Sequence, residues 1–353
     1  MTVSVIVPVY NNARGLARCL ESLARLQDPD FEIIVVDDGS AERYDGVCAK
    51  YGARLARLAT NAGAGVARNE GARRARGKIL AFIDSDCAAP PDWLARIRAA
   101  MVDDEVVAVA GTFGASLGRN FFALLRFWEA RYYHVRERAL VNSFVTANFA
   151  IRTTVFEKAG GFPPLWIAED LIFGYRLKLL GYHALWLYDL EVAQDFRPSL
   201  AKYVKQQAEW MEHIFVLTLR YPGLQFMRWS VRKGGPALQG GIEGLLLASL
   251  PVVAIVGGST IAVPAALLVT LVALNWPFLR FVRRQSSLLR AAQVFVAVVA
   301  VRNPAWLMGV GRGFLRQPVR AVAGLYRLLL ARVRGTAPDP IDEPVASIGG
   351  QSR

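Results

Sequence analysis

Ile79-Leu80-Ala81-Phe82-Ile83-Asp84-Ser85-Asp86 joins five apolar residues to two carboxylates one position apart. A short apolar run of this kind predicts a strand buried on both faces, as in a parallel sheet. Two carboxylates at its end cannot stay buried and unpaired without a large desolvation cost. They are therefore expected in a solvent-lined crevice at the carboxyl edge of the sheet, where α/β proteins bind ligands. Hard oxygen ligands there suit Mg²⁺ or Mn²⁺, which commonly bridge carboxylates to substrate phosphates. Taken alone, the acidic triplet reads equally well as a polar strand end feeding a turn.

The neighbouring sequence extends the pattern. Val3 to Val9, with Pro8 inside it, is a β-branched run that ends at Tyr10-Asn11-Asn12, a strand followed by a loop. Leu16, Leu20, Leu23 and Leu26 recur at helical spacing, and Phe31 to Val36 is a second apolar strand closed by Asp37-Asp38-Gly39-Ser40. A helix over 41–51, a weak strand over 53–59, a glycine-rich turn over 61–65 and a basic helix over 66–76 lead back to Ile79. Pro90-Pro91-Asp92 opens a helix through Met101, and Val106 to Ala110 and Val145 to Ile151 read as further strands. Strands alternating with helices predict right-handed βαβ units and a parallel sheet whose strand ends share one crevice. Residues 119–141 mix phenylalanine, tryptophan and tyrosine with arginine, which suits a membrane interface, an acceptor groove or core packing. Glu169-Asp170 stand where a helix begins, a place the macrodipole favours for acids.

The 353 residues are 54% hydrophobic with a mean hydropathy of +0.28, too apolar for a plain soluble enzyme. The excess lies mostly after residue 240. Ile242 to Leu279 carries only Glu243 as a charge, enough for two spans of about 20 residues joined at Gly257-Gly258-Ser259-Thr260. Arg228, Arg232 and Lys233 before it and Arg280, Arg283 and Arg284 after it put both ends on the cytoplasmic side. Ala291 to Val301 is too short to cross alone and meets Arg302 and Pro304, so it is expected to be re-entrant or interfacial. Val319, Val322, Tyr326, Leu329 and Val333 share one face of a basic in-plane helix. The net charge of +13 implies an anionic partner. Because the arginines crowd beside apolar segments, that partner is expected to be anionic lipid and not nucleic acid. Cys19, Cys48 and Cys87 show no disulfide or zinc spacing, which fits a reducing cytosol, and no signal peptide is expected because strand-like sequence begins at Thr2.

In order, Ser4-Val5-Ile6-Val7-Pro8-Val9-Tyr10-Asn11, Asp37-Asp38-Gly39-Ser40, Asn61-x-Gly63 with Arg68-Asn69-x-Gly71, Asp84-Ser85-Asp86 and Glu169-Asp170 resemble the family 2 glycosyltransferases. The resemblance covers roughly residues 2 to 220 and implies an α/β GT-A (Rossmann-like) nucleotide-sugar-binding domain followed by transmembrane or interfacial helices. It also implies roles. Pro8, Tyr10 and Asn11 would line the nucleotide pocket, and Asp37 and Asp38 would accept hydrogen bonds from base or ribose. Gly63, Arg68 and Asn69 would lie on the donor side, with Arg68 near the diphosphate. Asp86 would hold Mn²⁺ or Mg²⁺ directly, with Asp84 on the ribose or on the metal through water. Asp170 would be the catalytic base and Glu169 would orient the acceptor. Ordinary turns and helix caps account for Asp37-Asp38 and Glu169-Asp170 without any catalytic duty. A dinucleotide fingerprint is unmet, since Arg68 occupies the third glycine position, and no Gly-Lys-Ser/Thr forms a P-loop.

Two departures qualify the likeness. Gln206-Gln207-Ala208-Glu209-Trp210 replaces the arginine of the processive members' Gln-x-x-Arg-Trp with Glu209, leaving Gln206 and Trp210 as acceptor-side candidates. Gln194-Asp195 stands where many relatives carry a histidine, so either Asp195 assists the metal or that role is absent. The expected organisation is a catalytic domain over 1–220, a basic linker over 221–240, a transmembrane hairpin over 241–280, re-entrant or interfacial basic helices over 281–335 and a disordered tail over 336–353. The expected activity is inverting, metal-dependent transfer from a nucleotide-diphosphate sugar to a lipid-linked or membrane-proximal acceptor. The chain would act as an integral protein at the cytoplasmic face of the plasma membrane. A processive polysaccharide synthase and a non-catalytic sugar-nucleotide-binding scaffold are the alternatives.

Overall fold

Every residue of β1 (Val3–Val9) is buried. Val3, Val5, Val7 and Val9 point to one core and Ile6 to another, the period of two that a strand covered on both faces requires. The computed structural model describes residues 2–133, 139–196, 198–220 and 261–316, with isolated positions between 239 and 249. The expected basic linker, most of the first span, the Gly257–Thr260 turn, the in-plane helix over 319–333 and the C-terminal tail lie outside the described residues. Two compact units divide between Arg197 and Pro198.

In the first unit, β1 is flanked by β2 (Phe31–Asp37) and β4 (Ile79–Ile83), with β3 (Arg54–Arg57) beyond β2, all parallel. Helices α1 (Ala13–Leu23), α2 (Asp45–Lys50) and α3 (Ala64–Arg74) make the crossovers. The full order is β3-β2-β1-β4-β8-β6-β9-β5, with β7 (Ala139–Val141) on β9. The sheet is mixed, against the expectation of a parallel one. β8 (Asn148–Arg152) is antiparallel to both β4 and β6 (Ala108–Ser116), so β6 keeps the direction of β4 across helix α4 (Trp93–Ala100) while β8 is inserted between them. β9 (Ala184–Gln194) was not anticipated; it runs parallel to β6 and pairs with the short β5 (Cys87–Ala88) beside the acidic triplet. The carboxyl ends of β1, β2, β4 and β9 therefore meet at one edge.

One face packs Leu16, Leu20, Trp93 and Ile97 against β1 and β4. The other gathers Phe82, Phe149, Phe156, Phe162 and Phe173, with ring centroids 4.6–6.2 Å apart among them. Each such ring stabilises the fold by about 1.5–3 kcal/mol on burial. The cluster anchors α6 (Thr153–Lys158) and α7 (Glu169–Leu179), and through Phe162 the loop between them. In α5 (Phe121–Tyr133), Ala123, Leu125 and Trp128 are buried, whereas Phe121, Phe122, Phe127 and Tyr132 are half-buried. The three cysteines are buried thiols.

The second unit contains α8 (Leu200–Arg220), α9 (Ala262–Gln285), α10 (Leu288–Ala297) and α11 (Asn303–Arg316), the last two joined by a π-turn over Val298–Arg302. Helix α8 belongs here and not with the first unit, which moves the boundary from the expected 220 to 197. It is held by Trp306 Nε1 donating to Gln207 Oε1 (2.7 Å) and by an Arg316–Glu212 ion pair (2.6 Å). Ala262–Gln285 and Leu288–Arg316 are both long and apolar enough to cross a membrane. The second exceeds the short Ala291–Val301 stretch because neither Arg302 nor Pro304 breaks it. Pro304 falls in the first turn after the π-turn, where a missing N–H matters least. Arg302 is wholly buried, donates to Gln239 Oε1 (2.9 Å) and stacks on Trp306.

Candidate active site

Hydrogen bonds tie the strand-end motifs to one another. Asn11 adopts a left-handed φ of 46°, which asparagine tolerates. Its amide donates to Ser40 Oγ (2.9 Å), and its side chain accepts from Ala41 N (3.0 Å). Asn12 caps α1 and donates from Nδ2 to Ser85 Oγ (3.3 Å). Tyr10 is exposed at the end of β1, as a base-stacking ring would be. Pro8 is buried in the strand and paired with Val36.

Asp37 and Asp38 already hold backbone. Asp37 accepts from Ser40 N (2.9 Å) and pairs with Arg57 (3.2 Å). Asp38 accepts from Ala62 N (2.8 Å) and Gly63 N (2.9 Å), which fixes the loop before α3. Burial raises the Asp38 carboxyl above its usual range, opposed by those two amides. A carboxylate has about four acceptor sites, so capacity for a ligand hydroxyl or ring N–H is left.

Arg68 is the centre of the arrangement. It is 3% exposed and donates to Asp84 Oδ1 and to Glu169 Oε1, both at 2.7 Å. The metal motif and the acidic helix start, 85 positions apart in sequence, thus share one guanidinium. Its Nε has no hydrogen-bond partner among the described residues. Both terminal nitrogens of the guanidinium are engaged by acids. Asn69 is also committed: its Nδ2 donates to Phe162 O (2.8 Å) and its Oδ1 accepts from Phe162 N (2.9 Å), clamping the loop that leads into α7. That loop needs glycine at Gly160 and Gly161, whose φ values are 74° and 65°.

Glu169 and Asp170 begin α7, preceded by Ala168 at φ 66°, a strained conformation for alanine. Asp170 Oδ1 accepts from Leu171 N (2.8 Å). Burial, then the Glu169 carboxylate, pushes Asp170 up to about 7, with Arg68 opposing. A Cβ on Gly65 would meet Glu169 Cγ and Pro163 O at 3.1 Å, so a larger residue there would force one of them to shift by a few tenths of an ångström. Trp166, exposed and lying against Gly63, was not anticipated; its signal was a large aromatic three positions before the acidic pair.

Asp86 accepts long hydrogen bonds from Gln194 Nε2 (3.2 and 3.4 Å) and Cys87 Sγ (3.5 Å). Burial, then Asp84, pushes it up to about 6. Asp195 is not offered to a metal: it is buried and ion-paired with Arg18. Gln194 Oε1 is instead a buried acceptor with no partner among the described residues. Two carboxylates that repel each other, beside an orphaned amide oxygen, fit a hard divalent cation that keeps some water or phosphate ligands. Asp84, Asp86 and Gln194 are the residues that would hold it. Among the described residues no group of three or more histidine, cysteine or acidic side chains gathers as a closed metal site. Gln206 and Trp210 lie on α8 in the second unit, the former exposed; Glu209 pairs there with Lys205 (3.7 Å).

Acids at the ends of β2 and β4 and at the start of α7 thus lie at one edge of a mixed sheet. Residues 4–159 match the family described as Glycosyl transferase family 2. It is 28% identical over 205 residues to the Glycosyltransferase AglE of Haloferax volcanii, covering 56% of this chain and 67% of that one. It is 40% identical over 95 residues to the Putative glycosyltransferase EpsH of Bacillus subtilis, covering 26% of this chain and 28% of that one. The chain therefore spans two thirds of the first relative and little more than a quarter of the second. Among solved structures, the mannosyltransferase PcManGT from Pyrobaculum calidifontis, in complex with GDP-Man and Mn²⁺, aligns with a TM-score of 0.47. It is 20% identical, with 94% of this chain and 86% of that one covered.

Proposed function

We propose that the chain transfers a sugar from a nucleoside-diphosphate sugar to an acceptor hydroxyl, with inversion at the anomeric carbon. Arg68 bridging Asp84 and Glu169 is the observation that carries this reading, because it brings the phosphate-side acids and the candidate base to one crevice. Asp170 takes the acceptor hydroxyl proton as that oxygen bonds to the anomeric carbon. The bond to the diphosphate breaks on the opposite face, and its electron pair leaves with the nucleoside diphosphate. Base catalysis of this kind contributes about 10²- to 10⁴-fold. Asp84, Asp86 and Gln194 would hold Mn²⁺ or Mg²⁺, which supplies Lewis-acid neutralisation of the leaving diphosphate. Tyr10, Asn11 and Asp38 bind the nucleoside, and Glu169, fixed by Arg68, orients the acceptor.

The two apolar helices support an anchor at the cytoplasmic face of the membrane and an acceptor that is lipid-linked or a membrane-proximal glycan. A processive synthase is disfavoured by Glu209, whose negative charge replaces a cationic phosphate contact. The test is a panel of UDP-, GDP-, dTDP- and CMP-sugars with Mn²⁺ or Mg²⁺, read by thermal shift and donor hydrolysis. One nucleoside-diphosphate sugar should stabilise the full chain by about 2.7 kcal/mol at a hundredfold excess over its Kd. Asp86→Ala should abolish that shift. Absence of binding by every donor overturns the reading.

A further inference from the structure

Between α9 and α10 of the second unit lies an open groove of ≈ 360 Å³. Val272, Trp276 and Leu279 line it from α9, and Ala291, Ala292 and Phe295 from α10. Each set recurs at helical spacing, so two apolar stripes face each other, and the paired alanines leave a trough that larger side chains would have filled. At one end stand Arg280 and Arg283, both exposed and both without a hydrogen bond or ion pair among the described residues. Trp276, also exposed, sits one turn further in.

The shape is that of an amphiphile. From Val272 to Arg283 the helix rises about 16 Å, close to the depth of one leaflet in a hydrocarbon core of about 30 Å. A charged pair at one end, an indole near it and an apolar trough beyond repeat the order of headgroup, interface and acyl chain. A neutral apolar ligand would leave the arginines unpaired, and a soluble anion would leave the trough empty. We propose that this groove seats one acyl chain of an anionic phospholipid, with its phosphate held by Arg280 and Arg283. The assignment is independent of the transferase reading.

Trp276 is a reporter inside the site. The full chain is reconstituted in phosphatidylcholine nanodiscs containing a minor fraction of phosphatidylglycerol, with bromine on the chains of one lipid or the other. Fluorescence of the Trp276→Phe variant is subtracted. Brominated phosphatidylglycerol should quench Trp276 beyond the same fraction of brominated phosphatidylcholine. Each arginine near an anionic headgroup is worth about a fivefold gain in occupancy, so enrichment of about 25-fold is expected from the pair. Arg280→Gln with Arg283→Gln should remove the preference, while Arg284→Gln, at the same helix end but off the groove, should keep it. Ala292→Phe, which fills the trough, should also remove it with the arginines intact. Equal quenching by both lipids overturns the proposal, as does loss of preference in Arg284→Gln. A preference that survives the double variant, or a Trp276 shielded by a second copy of the chain in sedimentation, does so too.

Discussion

Replacing Asp170 with asparagine should make the protein more stable and less active at the same time, with the stability gain growing from about pH 4 and levelling off above about pH 7. Burial and then Glu169 push the carboxyl from 3.8 to about 7. A folded value above the unfolded one means that the folded chain binds the proton more tightly. Stability is then full below about pH 4 and is lost as pH rises through about 7. Taking the change at face value, the ionised side chain costs at most about 4 kcal/mol above pH 7, part of which is shared with Glu169. Asparagine keeps the acceptor for Leu171 N and removes the charge. At about 2 to 4 °C per kcal/mol for a unit of this size, Asp170→Asn should melt several degrees above the parent at pH 8. The two should converge near pH 4. Melting curves in chelator across pH 4–9 measure this, and donor turnover should fall by about 10²- to 10⁴-fold. An offset that does not depend on pH, or a variant that keeps its turnover, would falsify the assignment of Asp170 as a buried base.

Arg68→Met should cost about 3–5 kcal/mol, read by denaturant unfolding, by leaving Asp84 and Glu169 without their buried cation. Gly63→Ala, at φ 93° and ψ 155°, a region open essentially to glycine alone, should cost about 1–3 kcal/mol and weaken donor binding through the Asp38 loop, measured by thermal shift with donor. Gln194→Ala should weaken Mn²⁺ binding by about tenfold in titration of the donor-free protein; unchanged affinity would remove Gln194 from the metal site.

Strands β1, β2 and β4 and the residues at their ends were legible because each is a local apolar run broken by polar residues. The partners of those residues were not. Arg68 reaches Glu169 across 101 positions and Asp84 across 16, and nothing in its own segment distinguishes an arginine held by acids from one that faces phosphate. Asn69 shows the same ambiguity, since the amide that could hold a donor holds Phe162 instead. β9 escaped because Asp189 and Glu191 on its outer side interrupt the apolar pattern, although Leu190 and Val192 are buried between and beside them. The helix through Arg302 and Pro304 escaped because its continuation depends on a π-turn and on Gln239, 63 positions away.

The four acids at the crevice divide by what they touch. Asp84 and Glu169 share the Arg68 guanidinium, while Asp86 and Asp170 do not. Those two are the members pushed upward, to about 6 and about 7, each by burial and then by its acidic neighbour. One buried arginine thus satisfies one carboxylate of each pair and leaves the other short of positive charge. A divalent ion beside Asp86 and Gln194 would relieve the first deficit, whereas among the described residues no such ligand set adjoins Asp170, which would be left to bind a proton. Environments that separate two carboxylates in this way are how one comes to stabilise charge and the other to transfer a proton, the division that the proposed function requires. The split follows from the reach of Arg68. Arg68→Lys, a point charge unable to span both acids, should therefore impair metal binding and the pH dependence of turnover together. If the lysine variant altered only one of them, the two acid pairs would not be coupled through residue 68.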